Sequence, residues 1–434
     1  MSSGLADRVA AGATARATAG ATARATARAK VRTRVRTPRL RVGRGARLAH
    51  SDMFGRRAAA VAATYLLIRA ASLVLIQLML TAADSTRYSE RPGVLGVLRS
   101  WDGGWFLTIA ERGYPSAATL GRPDAVNPDA VVFFPGYPVV IRLVESMTPI
   151  SYLWSGITVS AVAGTIAAVL LFVLVEDLYD RRVAAIAVVL WAAQPLSVSL
   201  SMIYTESLFC ALSFGALLAV RRERWLTAGV LGLLAGTVRN TGMALGAAVA
   251  VCAVWWWWQR RAEDGARGRA VRAAAGSGLA LLGSPLYLVL IGLRMGKLTT
   301  WFDHQYSGWG NRWDWGVTTA QQVWFELSHT RDAYSAICAL SIVAALLLLA
   351  VVVYDRVWLG LTAFAVFGLA QSFGGSVMIL DKPRYLVPFA ALVLPVAVAL
   401  SRARPPIQIL ATTALAFLGL WISAHSMTVW PYNI

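Results

Sequence analysis

Apolar runs close to the ~20 residues needed to cross a hydrocarbon core recur in this chain from residue 58 almost to its end. Nothing else constrains the fold as much. A bilayer interior offers no water to backbone polar groups, so a spanning segment is a helix or part of a closed barrel. Barrel strands alternate apolar and polar residues. Here the runs are continuous, as in "SYLWSGITVSAVAGTIAAVLLFVLV" (151–175). Charged residues make up 15% of the 434, against roughly 25% in soluble domains. The chain therefore reads as all-α, a polytopic helical membrane protein.

The charge is uneven. Residues 1–57 hold 14 Lys and Arg against two Asp, so +12 of the formal net charge of +19 lies there. This stretch is low-complexity Ala/Thr/Arg with almost no large apolar side chains. It cannot bury a core and is expected to be disordered. Residues 1–55 thus read as a disordered basic cytoplasmic tail, and 56–434 as the membrane domain. The tail would set topology, or Met53 would be the true start. Attraction to anionic lipid is a second reading. Nucleic acid is not an expected partner, since no aromatics interleave the arginines. Cys210, Cys252 and Cys338 sit singly in apolar segments and suggest neither a disulfide framework nor a metal site.

Placing the basic tail in the cytoplasm, as the positive-inside rule requires, orders the rest. Spans are expected at about 58–82, 151–175, 183–203, 206–220, two short helices within 225–258, 273–296, 333–354, 357–379, 386–400 and 406–425. That makes about eleven. Every strongly basic loop then faces inward. The cost is that "VVFFPGYPVVIRLV" (131–144) cannot be a full crossing. Its two prolines and Gly136 suit a re-entrant or juxtamembrane helix in the first outer loop.

With this threading, polar and aromatic residues collect on the extracytoplasmic face. The first loop offers Trp101, Asp102, Trp105, Glu111, Tyr114, Phe134 and Tyr137. The second outer turn offers Tyr204 and Glu206, and Arg239 sits at the turn of the short helix pair. The loop 297–331 adds His304, and "DKPRY" adds Lys382, Arg384 and Tyr385. Aromatic faces pack on sugar C–H surfaces, carboxylates accept from hydroxyls, and Arg or Lys neutralises phosphate. The set suits an anionic lipid-linked substrate with a polar group such as a sugar. Each residue has a plainer role. Trp and Tyr anchor span ends, Lys382 and Arg384 would be interfacial charges, and Asp102 would cap a helix over 103–111. Arg239 lies inside a 34-residue apolar stretch (225–258), where an ionisable group is by default functional. His304 has no partner at metal spacing. Asp124 and Asp129 are five apart and Asp303 and Asp314 eleven, so there is no Asp-x-Asp pair for a metal. No cofactor is expected, though a divalent metal stays open, and Arg or Lys would stabilise a leaving phosphate.

"WDGGWFLTIAERGYP" (101–115) followed by "VVFFPGYPVVIRL" (131–143) resembles the PIG-V family of mannosyltransferases and its bacterial relatives. "YTESLF", "RRERWLTAGVLGLLAGTVRNTG" and "RYLVPF" are similar to the corresponding bacterial segments. The likeness covers about residues 58–400. One departure is Arg239-Asn240-Thr241-Gly242, where those relatives carry Arg-Pro-Thr-Gly. The resemblance implies a GT-C fold, a dolichyl- or polyprenyl-phosphate-mannose donor and an extracytoplasmic site in the plasma membrane.

From it follows an expected mechanism. Asp102 is the general base toward an acceptor hydroxyl, in an aromatic pocket of Trp101, Trp105 and Phe106. Configuration inverts. Arg239, Lys382 and Arg384 hold the phosphate, Glu111 orients Asp102 or a sugar hydroxyl, and Glu206 is a second acid. The acceptor stays open among a glycan, a lipid and a protein. The alternatives are a GT-C transferase of another polyprenyl-phosphate sugar, an enzyme that has lost activity, and a transporter or flippase for a lipid-linked glycan. A transporter would show related halves, which this chain lacks.

Overall fold

The computed structural model describes residues 44–82, 93–330 and 332–430. The expected disorder of residues 1–43 lies outside this set. In order, the helices are α1 (Arg44–Ala82), α2 (Gly93–Leu98), α3 (Asp102–Arg112), α4 (Gly136–Met147), α5 (Tyr152–Leu178) and α6 (Arg181–Ala192). Then come α7 (Glu206–Arg221), α8 (Trp225–Val238), α9 (Gly242–Arg260), α10 (Ala266–Met295) and α11 (Thr300–Trp309). The last are α12 (Val317–His329), α13 (Ala333–Tyr354), α14 (Leu359–Phe373), α15 (Leu394–Ser401) and α16 (Pro405–Thr428). Among the described residues, the sole β-type pairing is an isolated bridge between Trp313 and Gly375. α1 begins inside the stretch read as tail.

Six helical stretches are long and apolar enough to cross a bilayer: Gly55–Ala82 within α1, and α5, α9, α10, α13 and α16. Ile379–Leu386 with Ala390–Ser401, bent by 78°, raises this to seven. α8 and α14 are apolar but shorter. The expected count of eleven is therefore not confirmed. The reason is local. The run 183–203 is not one helix, because α6 ends at Ala192 ahead of Pro195 and a 3-10 turn, Ser197–Leu200, follows. Likewise 386–400 is divided between 3-10 turns and the eight residues of α15. Apolar composition marks what lies in the membrane region but does not reveal where backbone bonding is interrupted.

The break after α6 is stabilised from α1. Arg69, 6% exposed, donates to the carbonyls of Ala192 and Ser197 and to Ser197 Oγ at 3.2 Å. It thus supplies donors to carbonyls that a helix end leaves unsatisfied.

α4 is a 12-residue helix, about 18 Å long by the standard rise, too short for the ~30 Å core. It buries Tyr137, Pro138 and Ile141 and exposes Val139, Leu143 and Met147. Arg142 ties it to α3 through the carbonyls of Ala110 (2.7 Å) and Glu111 (2.8 Å). A short helix thus occupies the stretch where a re-entrant or juxtamembrane helix is expected, and it is not a full-length span.

The most extensive helix packing is α8 against α10. It depends on missing side chains. A Cβ on Gly229 would lie 2.6 Å from Gly276 O, and one on Gly236 would lie 2.7 Å from Ser284 N. Backbones at that separation leave no room for Ala. Ser284 Oγ donates to Gly236 O at 3.0 Å and secures the end of α8.

Candidate active site

Three chain breaks converge to build the site. Trp101 has a left-handed backbone (φ 51°) immediately before α3. The carbonyl of Leu98 accepts from Ile203 N at 2.9 Å, which fastens the start of α3 beside the turn that leads into α7. At the α8–α9 junction Arg239 is extended (φ −147°, ψ 150°), and the carbonyl of Asn240 accepts from Gln371 Nε2 at 3.2 Å. The 3-10 segment Ile379–Leu386 brings in Arg384. Trp191 Nε1 donates to Val387 O at 3.0 Å just beyond that segment.

Four charged groups meet there. Arg384 Nη1 donates to Asp102 Oδ2 at 2.7 Å, and Arg384 Nε lies 3.6 Å from Glu206 Oε1. Arg239 Nη1 approaches the same Glu206 oxygen at 2.6 Å and donates to Thr205 Oγ1 at 2.8 Å. The contact with Glu206 is an ion pair without the alignment of a hydrogen bond. The Arg384 guanidinium lies over Tyr204 (5.0 Å) and Tyr385 (5.3 Å), and Arg239 reaches Tyr385 at 5.7 Å. Glu206 is sealed at 1% side-chain exposure, while Asp102 keeps 24%. Asp102 is thus the carboxylate of the two that an incoming hydroxyl can reach.

Asp102 does not act as the expected helix cap. α3 starts at Asp102 itself, and its start has no side-chain capping bond. The sequence-expected Asp102, Tyr204, Glu206, Arg239, Arg384 and Tyr385 therefore share one cluster, with Thr205 added.

The remaining candidates lie elsewhere. Glu111 sits nine residues along α3, roughly 13 Å by helix rise, so it cannot orient Asp102; its side chain is exposed. Lys382 is buried and its ammonium donates to the carbonyls of Gly375 (2.9 Å) and Ser372 (3.3 Å), bracing the turn after α14. Trp101 is half-buried against the main core. Trp105 stacks on Phe133 at 5.4 Å and meets Trp309 edge-on at 6.0 Å. Phe106 packs on Phe133 and Tyr137, so the aromatic neighbours expected around Asp102 belong largely to a second core. In that core Phe134 packs on Tyr287 at 4.6 Å. Tyr114 donates to Phe133 O (2.6 Å) and Tyr137 to Gly156 O (2.9 Å). His304 Nδ1 pairs with Asp129 Oδ1 at 2.7 Å, outside the charged cluster.

The loop carboxylates are also engaged. Asp303 bonds Lys297 at 2.8 Å, which holds its carboxyl below the usual range. Asp314 accepts from the Gly316 and Thr318 amides, and its hydrogen bonding to Thr318 does the same. Among the described residues no three His, Cys, Asp or Glu gather as metal ligands. Sequence reasoning missed Arg69, though an ionisable group within an apolar run was the signal that singled out Arg239.

Comparison with known proteins shows what the chain is similar to. Residues 62–261 match the family model described as mannosyltransferase (PIG-V). GPI alpha-1,6-mannosyltransferase 2 of Mus musculus is 33% identical over 161 residues, 35% of this chain and 30% of that protein. The Homo sapiens protein of the same name is 29% identical over 161 residues, with the same coverage. The matched stretch therefore spans under a third of these relatives' own length. Among solved structures, ArnT from Cupriavidus metallidurans in the apo state aligns with 85% of this chain and 65% of its own (TM-score 0.48, 17% identity). The Archaeoglobus fulgidus oligosaccharyltransferase in complex with zinc and sulfate covers 83% and 53% (TM-score 0.41, 13% identity). Asp102, Glu206 and Arg239 fall inside the family match; Arg384 and Tyr385 fall beyond it. The likeness carried by the first-loop motif extends over that stretch: residues 62–261 are similar to the PIG-V mannosyltransferases.

Proposed function

We propose that this chain is a membrane glycosyltransferase of the GT-C type. It transfers mannose from a polyprenyl-phosphate-mannose donor to an extracytoplasmic acceptor, with inversion. The family match supports mannose, and the four-charge cluster carries the reading. A partly open carboxylate, Asp102, is held by Arg384 beside a second arginine, Arg239.

The step is simple. The acceptor hydroxyl oxygen attacks the anomeric carbon while Asp102 takes its proton. The bond from that carbon to the phosphate oxygen breaks, and its electron pair stays on the phosphate. Arg384 and Arg239 are the two cations of the cluster and would stabilise the charge developing on the phosphate. Glu206 keeps both arginines fixed. Lys382 contributes through the Ser372–Gly375 turn rather than at the phosphate.

The test is transfer of radiolabelled mannose from polyprenyl-phosphate-mannose in membranes, comparing the chain with Asp102→Asn at matched expression. General-base catalysis is worth about 10²–10⁴-fold, and the Asn form should lose transfer on that scale. Equal transfer by both would remove Asp102 from the mechanism. Transfer of a different sugar from the same lipid carrier, but not mannose, would replace the donor.

A further inference from the structure

An apolar groove of about 380 Å³ runs between α5, α7 and α8, within the roughly 300–1,000 Å³ of small-ligand sites. On α7 it follows one face, from Leu208 through Leu212, Gly215 and Ala219 to Arg222. That is about 21 Å of helix. The floor is made of small residues, and the walls are leucines. Leu231 and Leu170 flank Gly215: a Cβ there would lie 3.2 Å from Leu231 Cδ1 and 3.6 Å from Leu170 Cδ1. The groove is therefore long and lined almost wholly by apolar side chains, which suits a hydrocarbon chain.

Its two ends differ. Leu208 is close to Glu206, at the candidate-site end of α7. The other end carries Arg222 and Arg224, with Thr227 beside them. The carboxylates of that region are already matched: Asp177 by Arg222 (3.2 Å), Glu223 by Arg260 (2.9 Å) and Glu176 by Arg57 (3.4 Å). Arg224 is exposed, and no acidic side chain among the described residues pairs with it. An apolar slot that opens on an unneutralised arginine is complementary to a lipid with an anionic headgroup.

We propose that this groove is a binding site for one anionic phospholipid of the leaflet opposite the candidate active site. An acyl chain lies over Gly215, and the headgroup phosphate is held by Arg224 and Arg222. The lipid would fill the seam between α5, α7 and α8, and thereby support the helix that carries Glu206.

The experiment is native mass spectrometry of the delipidated full chain, given dioleoyl phosphatidylglycerol or dioleoyl phosphatidylcholine. One phosphatidylglycerol should be retained in preference to phosphatidylcholine. An arginine near the membrane surface is worth about 1 kcal/mol toward anionic lipid, or roughly fivefold. Arg222→Gln and Arg224→Gln should each lower the preference by about that factor, and Arg224→Lys should keep it. Gly215→Leu should lower retention of both lipids. Because the basic N-terminal segment is present in every variant, its contribution cancels. Equal retention of the two lipids by the unaltered chain would overturn the proposal. So would full preference in the double Gln variant, equal loss in Arg224→Lys, or indifference to Gly215→Leu. Thermal melting of each variant separates lost binding from lost folding.

Discussion

A carboxylate at 1% exposure inside a helical membrane protein is tolerated only while its charge is matched. Glu206 meets this condition twice, through Arg239 at 2.6 Å and Arg384 at 3.6 Å. Removing Arg239 leaves Glu206 with the longer contact alone. Breaking a buried pair from one side costs about 3–5 kcal/mol, so Arg239→Met should lower the melting temperature markedly in detergent. The double variant Arg239→Met with Glu206→Gln should recover part of that loss, because no unmatched charge remains. A single variant as stable as the parent would mean that the pair is not maintained. The identities of these residues were legible in the sequence, since a charge inside an apolar run has few plain explanations. Their pairing was not. Asp102 and Arg384 are 282 residues apart, and nothing local couples them. Lys382 shows the same limit from the other side. It sits two residues before Arg384, yet it faces backbone carbonyls and not the cluster.

At the scale of elements, the site depends on where helices stop. α8 ends at Val238 and frees Arg239 from helical geometry, while Gly236 lies against α10 at the same level. A methyl group on Gly236 would press on backbone, which cannot swing aside. Gly236→Ala should therefore separate α8 from α10, cost roughly 1–3 kcal/mol and reduce transfer by moving Arg239. Gly278 in α10 is the matched control, with nothing within 4 Å of a built Cβ. Replacing a mid-helix Gly by Ala there should stabilise by roughly 0.5–1 kcal/mol and leave transfer unchanged. Melting curves and transfer assays on the two variants decide it: equal effects would mean that the seam is not tight. The long spans α5 and α13 were legible because continuous apolar runs of that length have one stable solution in lipid. The interruption after α6 was less so. It rests on Arg69, a donor from another helix, and composition does not report tertiary bonding.

For the whole molecule, the mannose-transfer reading depends on which face of the membrane the cluster occupies. The α7–α8 turn (Arg221, Arg222, Arg224) and the α9–α10 connection (Arg260, Arg261, Arg267) are joined by the Arg260–Glu223 ion pair, and the positive-inside rule assigns such basic loops to the cytoplasm. If they lie there, the cluster, at the other end of α7, faces out. The chain offers a clean background for testing this, because Cys210, Cys252 and Cys338 are all buried. A cysteine placed at Asp124, exposed in the first loop, should react with a membrane-impermeant maleimide on intact cells. One placed at Glu263, 50% exposed beside Arg269, should react only after permeabilisation. The reverse pattern would put the cluster in the cytoplasm, where a donor in the outer leaflet could not reach it. The mannose-transfer reading would then need a donor presented from the inner leaflet, although every distance within the cluster would stand unchanged.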